Sequence, residues 1–131
     1  MLEILDRDEC LRLLAAVPVG RVGVSIRALP AILPVNFALV GDDIVIRTVP
    51  GTKLDAAMDR TVVAFEVDGY AADGAWGWSV LVQGVCTEIT DPERVAGPAT
   101  ARLRAWAFDD GGAERFIRIE VSFVSGRRFR R

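Results

Sequence analysis

Histidine is absent from this chain of 131 residues. That absence removes Ser-His-Asp and Cys-His nucleophilic catalysis, ordinary zinc hydrolase sites and histidine-ligated haem. Lysine is almost absent: of the sixteen basic residues, Lys53 alone is a lysine. Cys10 and Cys86, the only two cysteines, have no metal-ligand spacing and read as reduced thiols of a cytoplasmic protein. No apolar run approaches the ~20 residues of a membrane span, although hydrophobic content is 51%. The first ten residues carry too many polar groups for a secretory leader, so none is expected. A net charge of −2 and a pI near 5.1 argue against general nucleic-acid binding. Arg127, Arg128, Arg130 and Arg131 read as a solvated basic tail. Chemistry must therefore come from carboxylates, arginines, Tyr70 or a bound organic cofactor.

What is present is organised around residues 42–54. Ile44, Val45 and Ile46 are β-branched and predict a strand. Pro50-Gly51 makes a turn, and Thr52 is placed to cap a short helix over residues 53–58. Arg47 and Lys53 thus flank a strand-to-helix turn. A lysine at a helix start is unfavourable without a partner, because the unpaired N–H groups there already carry partial positive charge. A bound phosphate turns that conflict into a cradle. A lone lysine among arginines also suggests that a compact point charge is wanted. The alternative is two solvated cations beside an ordinary turn.

In chain order, Asp6 with Glu9 makes a capping-box-like helix start, with Leu11, Leu14 and Ala15 on one face and Pro18 as terminator. Residues 20–26 form a first strand whose glycines, Gly20 and Gly23, imply close approach to the backbone. Pro30 and Pro34 bracket a strand over residues 31–39, and Pro34 marks a bulge or an edge. Residues 61–67 form another strand, joined to the preceding one by a link that favours antiparallel order. A Gly/Ala/Asp loop (69–77) leads into a long strand over residues 79–90. Asp91-Pro92 opens a helix interrupted at Gly97-Pro98 and resumed over residues 101–108. Residues 116–128 alternate as a last strand. With no linker and no repeat, the chain is one mainly β domain, a barrel of six strands flanked by short helices.

Taken together, several segments resemble the pyridoxamine 5'-phosphate oxidase-like flavoproteins, most closely their short actinobacterial branch. They are Val19-Gly20-Arg21-Val22, Leu33-Pro34-Val35-Asn36-Phe37, Ile46-Arg47-Thr48 with Gly51-Thr52-Lys53-Leu54, Val63-Ala64-Phe65-Glu66-Val67-Asp68, Gly77-Trp78-Ser79-Val80-Leu81-Val82-Gln83-Gly84 and Ser125-Gly126-Arg127-Arg128. The resemblance implies a six-stranded antiparallel split barrel and a homodimer with FMN, or a related deazaflavin, between the subunits. It places the cofactor phosphate on Arg47 and Lys53 with Thr48 and Thr52 nearby. The resemblance also implies that the flavin ring edge runs along the backbone of Pro34, Val35 and Asn36, that Ser79 and Gln83 reach the ring, and that Trp106 covers it from the other subunit. The chain, without histidine, lacks the terminal Arg-x-His substrate clamp of pyridoxamine 5'-phosphate oxidase itself, which sets vitamin B6 oxidation aside; Phe37 stands where many relatives carry Tyr, which removes a hydroxyl that could orient a ligand.

Two functions follow as expectations. One is an FMN-dependent oxidoreductase acting on a small organic substrate. The other is a dimeric flavin- or deazaflavin-binding module without turnover. A ligand-free barrel is a third reading. Glu66 and Asp68 share a strand face and could form an acid/base pair, or simply end a solvated strand. Trp76 and Trp78 either stack on a ligand or cap the barrel. Cys86 reads as a small core hydrophobe.

Overall fold

The computed structural model describes residues 1–103 and 115–131, with the side chain of Lys53 excepted. Its strands are β1 (Leu2–Leu5), β2 (Val19–Ile26), β3 (Leu29–Asn36), β4 (Ala38–Val40), β5 (Asp43–Thr48), β6 (Val62–Tyr70), β7 (Trp76–Ile89), β8 (Arg115–Glu120) and β9 (Phe123–Arg130). The helices are α1 (Arg7–Ala15), α2 (Lys53–Met58) and α3 (Pro98–Ala101), with a 3-10 turn at Pro92–Val95. Every strand pairing is antiparallel. One sheet runs β3-β2-β6-β7-β9-β1 and the second β4-β5-β8-β7. They share β7, and the chain also passes between them where β3 gives way to β4 at Phe37. This is a split β-barrel with short flanking helices.

The count is nine strands among the described residues, not six. Residues 2–5 form a strand that was not expected, paired to β9 from Leu2↔Phe129 to Leu5↔Gly126. The other two differences are breaks. Phe37 turns inward between β3 and β4, its N–H donating to the Pro18 carbonyl at 3.2 Å. Val121 and Ser122 separate β8 from β9, with the Ser122 N–H donating to the Glu120 carbonyl. Alternation continues through both breaks, so periodicity alone cannot reveal them.

Gly84 shows why β7 can serve two sheets. A Cβ there would lie 1.7 Å from the Glu120 carbonyl oxygen, so only glycine lets β8 cross it. At Gly20 a Cβ would lie 2.2 Å from the Phe65 ring, as its glycine implies; Gly23 meets only ordinary contacts. Phe65 in turn packs edge-on to Phe37 at 4.8 Å, an arrangement worth about 0.5–1.5 kcal/mol beyond burial. Pro34 lies on an edge strand in unbroken register opposite Arg21, so it marks an edge and no bulge.

Asp6 caps α1 by accepting from the Glu9 N–H at 2.9 Å. The helix buries Cys10, Leu13 and Leu14 rather than the Leu11–Leu14–Ala15 face. Both choices have helical spacing, and the docking of α1 beside β9 decides between them. Cys10 and Cys86 are free and fully buried, and burial pushes the Cys86 thiol up to about 12. The resumed helix expected over residues 101–108 falls mostly outside the described residues. α3 ends at Ala101, before most of that range. No described helix is long and apolar enough to cross a membrane.

Candidate functional site

The corner between β5 and α2 is built from local chemistry. Gly51 takes φ +86°, which suits glycine, and Thr52 caps α2 by accepting from the Asp55 N–H at 3.2 Å. The Thr52 hydroxyl donates to the Val49 carbonyl at 2.9 Å. Asp55 stands where a capping box places its acid, but its carboxylate turns inward. It accepts from the Thr48 hydroxyl at 2.8 Å and from Arg115 Nε at 2.6 Å. Arg115 also reaches Glu88 at 3.3 Å and Asp59 at 3.5 Å. The buried Thr48–Asp55 pair and the partly buried Arg115 tie the helix start to β5 and β8, with Glu88 and Asp59 at the exposed rim.

Thr48 and Thr52 therefore act on the corner's shape, their hydroxyls already bonded within the chain. Arg47 points to the opposite side of β5 from Thr48. Its guanidinium donates to the Leu103 carbonyl at 3.0 Å and lies 5.6 Å from the Phe116 ring centre. A half-buried guanidinium held this way is a fixed positive charge, suited to a phosphate oxygen. The Lys53 backbone opens α2; its side chain and Trp106 lie outside the described residues. A cleft of about 350 Å³ beside this corner is lined by Ser25, Arg27, Gly51 and Thr52. Arg27 and Ala28 form the β2–β3 turn with φ of +51° and +65°, a left-handed pair usually given to Asn and Gly. Arg27 is a cation at this corner to which no sequence motif pointed.

A second cleft, about 430 Å³, opens where β3 ends. Asn36 and Phe37 form one wall, Val17 and Pro18 a second, Arg102 and Leu103 a third. Val35 is buried in the core, so it can offer a ligand only backbone; Pro34 is exposed on the edge strand.

Ser79 and Gln83 lie elsewhere, on the outer face of the first sheet. Strand register arranges that face in rows. Ile32, Gly23, Ala64, Gln83 and Phe123 form one row, with Val62 and Val85 beside it. The next row is Pro34, Arg21, Glu66, Leu81 and Ser125, followed by Asp68, Ser79 and Arg127. The first rows are apolar and open, with Ile32 76% and Phe123 73% exposed. In the polar rows Arg21 bridges Glu66 at 3.3 Å and Asp68 at 3.0 Å. Loss of water, reinforced by the neighbouring Asp68 carboxylate, raises Glu66 to about 7 despite Arg21. A small cleft of about 350 Å³ opens between these residues and Ile32.

The family model for pyridoxamine 5'-phosphate oxidase matches residues 6–128. The chain belongs to that family. An uncharacterized protein of Mycobacterium tuberculosis is 45% identical over 127 residues, covering 93% of this chain and 82% of the relative. Among solved structures, the FAD binding protein of Mycobacterium smegmatis superposes with a TM-score of 0.79 at 31% identity, over 98% of both chains. An FAD-binding protein of Mesorhizobium loti gives 0.72 at 25% identity, over 98% of this chain and 96% of the other.

Relative to the residues expected to act together, the pyridoxamine 5'-phosphate oxidase fold distributes them over three surfaces. Thr48 and Thr52 belong to the β5–α2 corner, Pro34, Val35 and Asn36 to the edge strand, and Ser79 and Gln83 to the outer face, while Arg47 leaves β5 on the other side and reaches Leu103 in the wall of the second cleft. Asp55 and Arg115 were missed. Thr52-Lys53-Leu54-Asp55 has the spacing of a capping box, which could have singled out Asp55; nothing in the sequence pairs it with Arg115.

Proposed function

We propose that this chain is a dimeric flavoprotein that binds FMN between its subunits and works as an oxidoreductase on a small organic substrate. The observation that carries the flavin part of this reading is its likeness, along 98% of both chains, to a protein named for binding FAD. The outer face supports the dimer: its exposed apolar rows suit burial against a second copy, which would bring the separate surfaces of two chains together. Arg47 and Lys53 hold the phosphate, with Thr48 and Thr52 fixing the turn between them. The edge-strand backbone at Pro34, Val35 and Asn36 runs along the ring; Ser79 and Gln83 face it, and Trp106 covers it from the second copy. Bound FMN, or a deazaflavin in its place, supplies hydride transfer; the protein binds, orients and excludes water.

A second reading, a flavin-binding module without turnover, is favoured by the state of Glu66. This carboxyl is engaged with Arg21 and Asp68 rather than free to serve a substrate. An absorption spectrum of the purified protein, with mass identification of the molecule released on denaturation, tests the cofactor. The Arg47→Ala/Lys53→Ala double variant should fold yet purify colourless, losing about tenfold or more in flavin affinity per cation. Parental affinity in that variant would sink the phosphate assignment. Bound flavin with no turnover of reduced nicotinamide or deazaflavin against quinones and nitro compounds would select the module.

A further inference from the structure

The inner face of the first sheet continues past the core into a cleft of about 570 Å³. Across the β7–β9 ladder Trp78 pairs with Arg128 and Trp76 with Arg130, so an indole and a guanidinium stand side by side at two alternate pairs on one face, with the Gly77–Phe129 pair between them. α1 supplies the facing wall with Leu13 and Arg12, and Arg131 stands at the rim. Trp78 is fixed in place: its indole lies over Gly69, where a Cβ would come within 2.6 Å of Nε1. Trp76, by contrast, is 45% exposed, presenting its ring to the opening.

The charges are equally particular. Glu9 accepts from Arg12 at 2.8 Å and 2.5 Å and from Arg128 at 3.0 Å, while Glu3 accepts from Arg128 at 3.0 Å. The two arginines hold Glu9 down to about 2, so it stays ionised. Those carboxylates position Arg12 and Arg128 but leave Arg130 with no ion pair among the described residues. A chain of net charge −2 thus concentrates cations around two indoles. A ladder serving only to close the sheet would need neither the surplus charge nor the open ring.

We propose that this cleft binds a planar aromatic anion, its ring against Trp76 and Trp78 and its charge on Arg130 and the Arg12–Arg128 pair. The volume suits a ligand of one or two fused rings. Stacking and charge-assisted bonding together give the site its selectivity: the ring alone or the anion alone makes half the contacts. This site does not depend on the flavin reading, since it uses none of the residues assigned there.

Calorimetric titration with 2-naphthoate tests it, with 2-naphthylmethanol as the neutral analogue and inorganic phosphate as the ringless anion. Saturable naphthoate binding is expected, with both comparison compounds weaker by about tenfold or more. Trp76→Leu and Arg130→Gln, both at exposed positions, should each weaken naphthoate by about tenfold while leaving the circular dichroism spectrum and any bound flavin unchanged. No saturable binding at millimolar naphthoate, or undiminished affinity in either variant, would overturn the proposal. So would competitive displacement of naphthoate by FMN, which would make the cleft part of the flavin site.

Discussion

Asp55→Ala removes the carboxylate on which the β5–α2 corner closes. Breaking a buried ion pair from one side costs about 3–5 kcal/mol when the remaining charge has no other partner. Arg115 keeps Glu88 and Asp59 within 3.5 Å and is 21% exposed, which lowers that cost. Thr48 is 3% exposed and its hydroxyl loses its acceptor, which adds back about 1 kcal/mol. The net expectation is about 3 kcal/mol. Asp55→Asn, which keeps an acceptor oxygen but no charge, should cost roughly half as much. Urea unfolding at fixed protomer concentration, followed by tryptophan fluorescence, measures both. A cycle with Arg115→Met should show coupling of at least about 1 kcal/mol. Because the cluster fixes the start of α2, flavin affinity should fall with stability in Asp55→Ala. A loss below about 1 kcal/mol, or additivity with Arg115→Met, would refute the cluster as the element that holds the corner.

Gly84→Ala should cost about 3 kcal/mol or more, because its Cβ meets a backbone oxygen that cannot move without displacing β8. Gly97→Ala, whose Cβ meets open space, should stay within about 1 kcal/mol in the same melts. Glu66 gives a pH dependence. Its folded value, raised from 4.5 to about 7, means that the folded state binds more protons between those values, so its contribution to stability declines as pH rises through that window. Glu66→Gln should therefore stabilise at pH above about 7 and have little effect near pH 4.5, measured by thermal melts across the range. A gain confined to the acid side would reverse the sign and refute desolvation as the cause.

Local signals made much of the fold legible. The Asp6 and Thr52 caps, the turn at Pro50-Gly51 and the edge position of Pro34 each depend on neighbours a few residues away, and each matches the structure. What stayed hidden depends on register. Nothing in the sequence says that residues 2–5 pair with residues 126–129; that pairing carries the last strand on to Arg130, with Arg127, Arg130 and Arg131 exposed as expected and Arg128 partly buried. Arg128 is held there by Glu3 and Glu9. The same holds for the site. Thr52 and its helix could be placed from spacing, but Arg115 sits sixty residues from Asp55 and only the β5–β8 pairing brings them together. The family resemblance supplied Ser79 and Gln83 as candidates; their place among the rows of an apolar face required the strand registers.

Those rows bear on how two copies would meet under the proposed dimer. Burying Ile32, Val62, Val85 and Phe123 against a partner removes apolar surface from water and stabilises the contact at about 25 cal/mol per Å². Burying the Arg21–Glu66–Asp68 group against the same apolar surface would cost free energy, since these charges would lose water without gaining partners. Contact should therefore centre on the apolar rows and thin out towards Asp68, Ser79 and Arg127. A crevice left between subunits at that thinning edge would have Ser79 in its wall, with Gln83 at the boundary of the packed rows. The gradient from apolar to polar across one sheet face thus accounts for both a seam and an opening beside it. Neither requires a residue beyond those that strand register already places there.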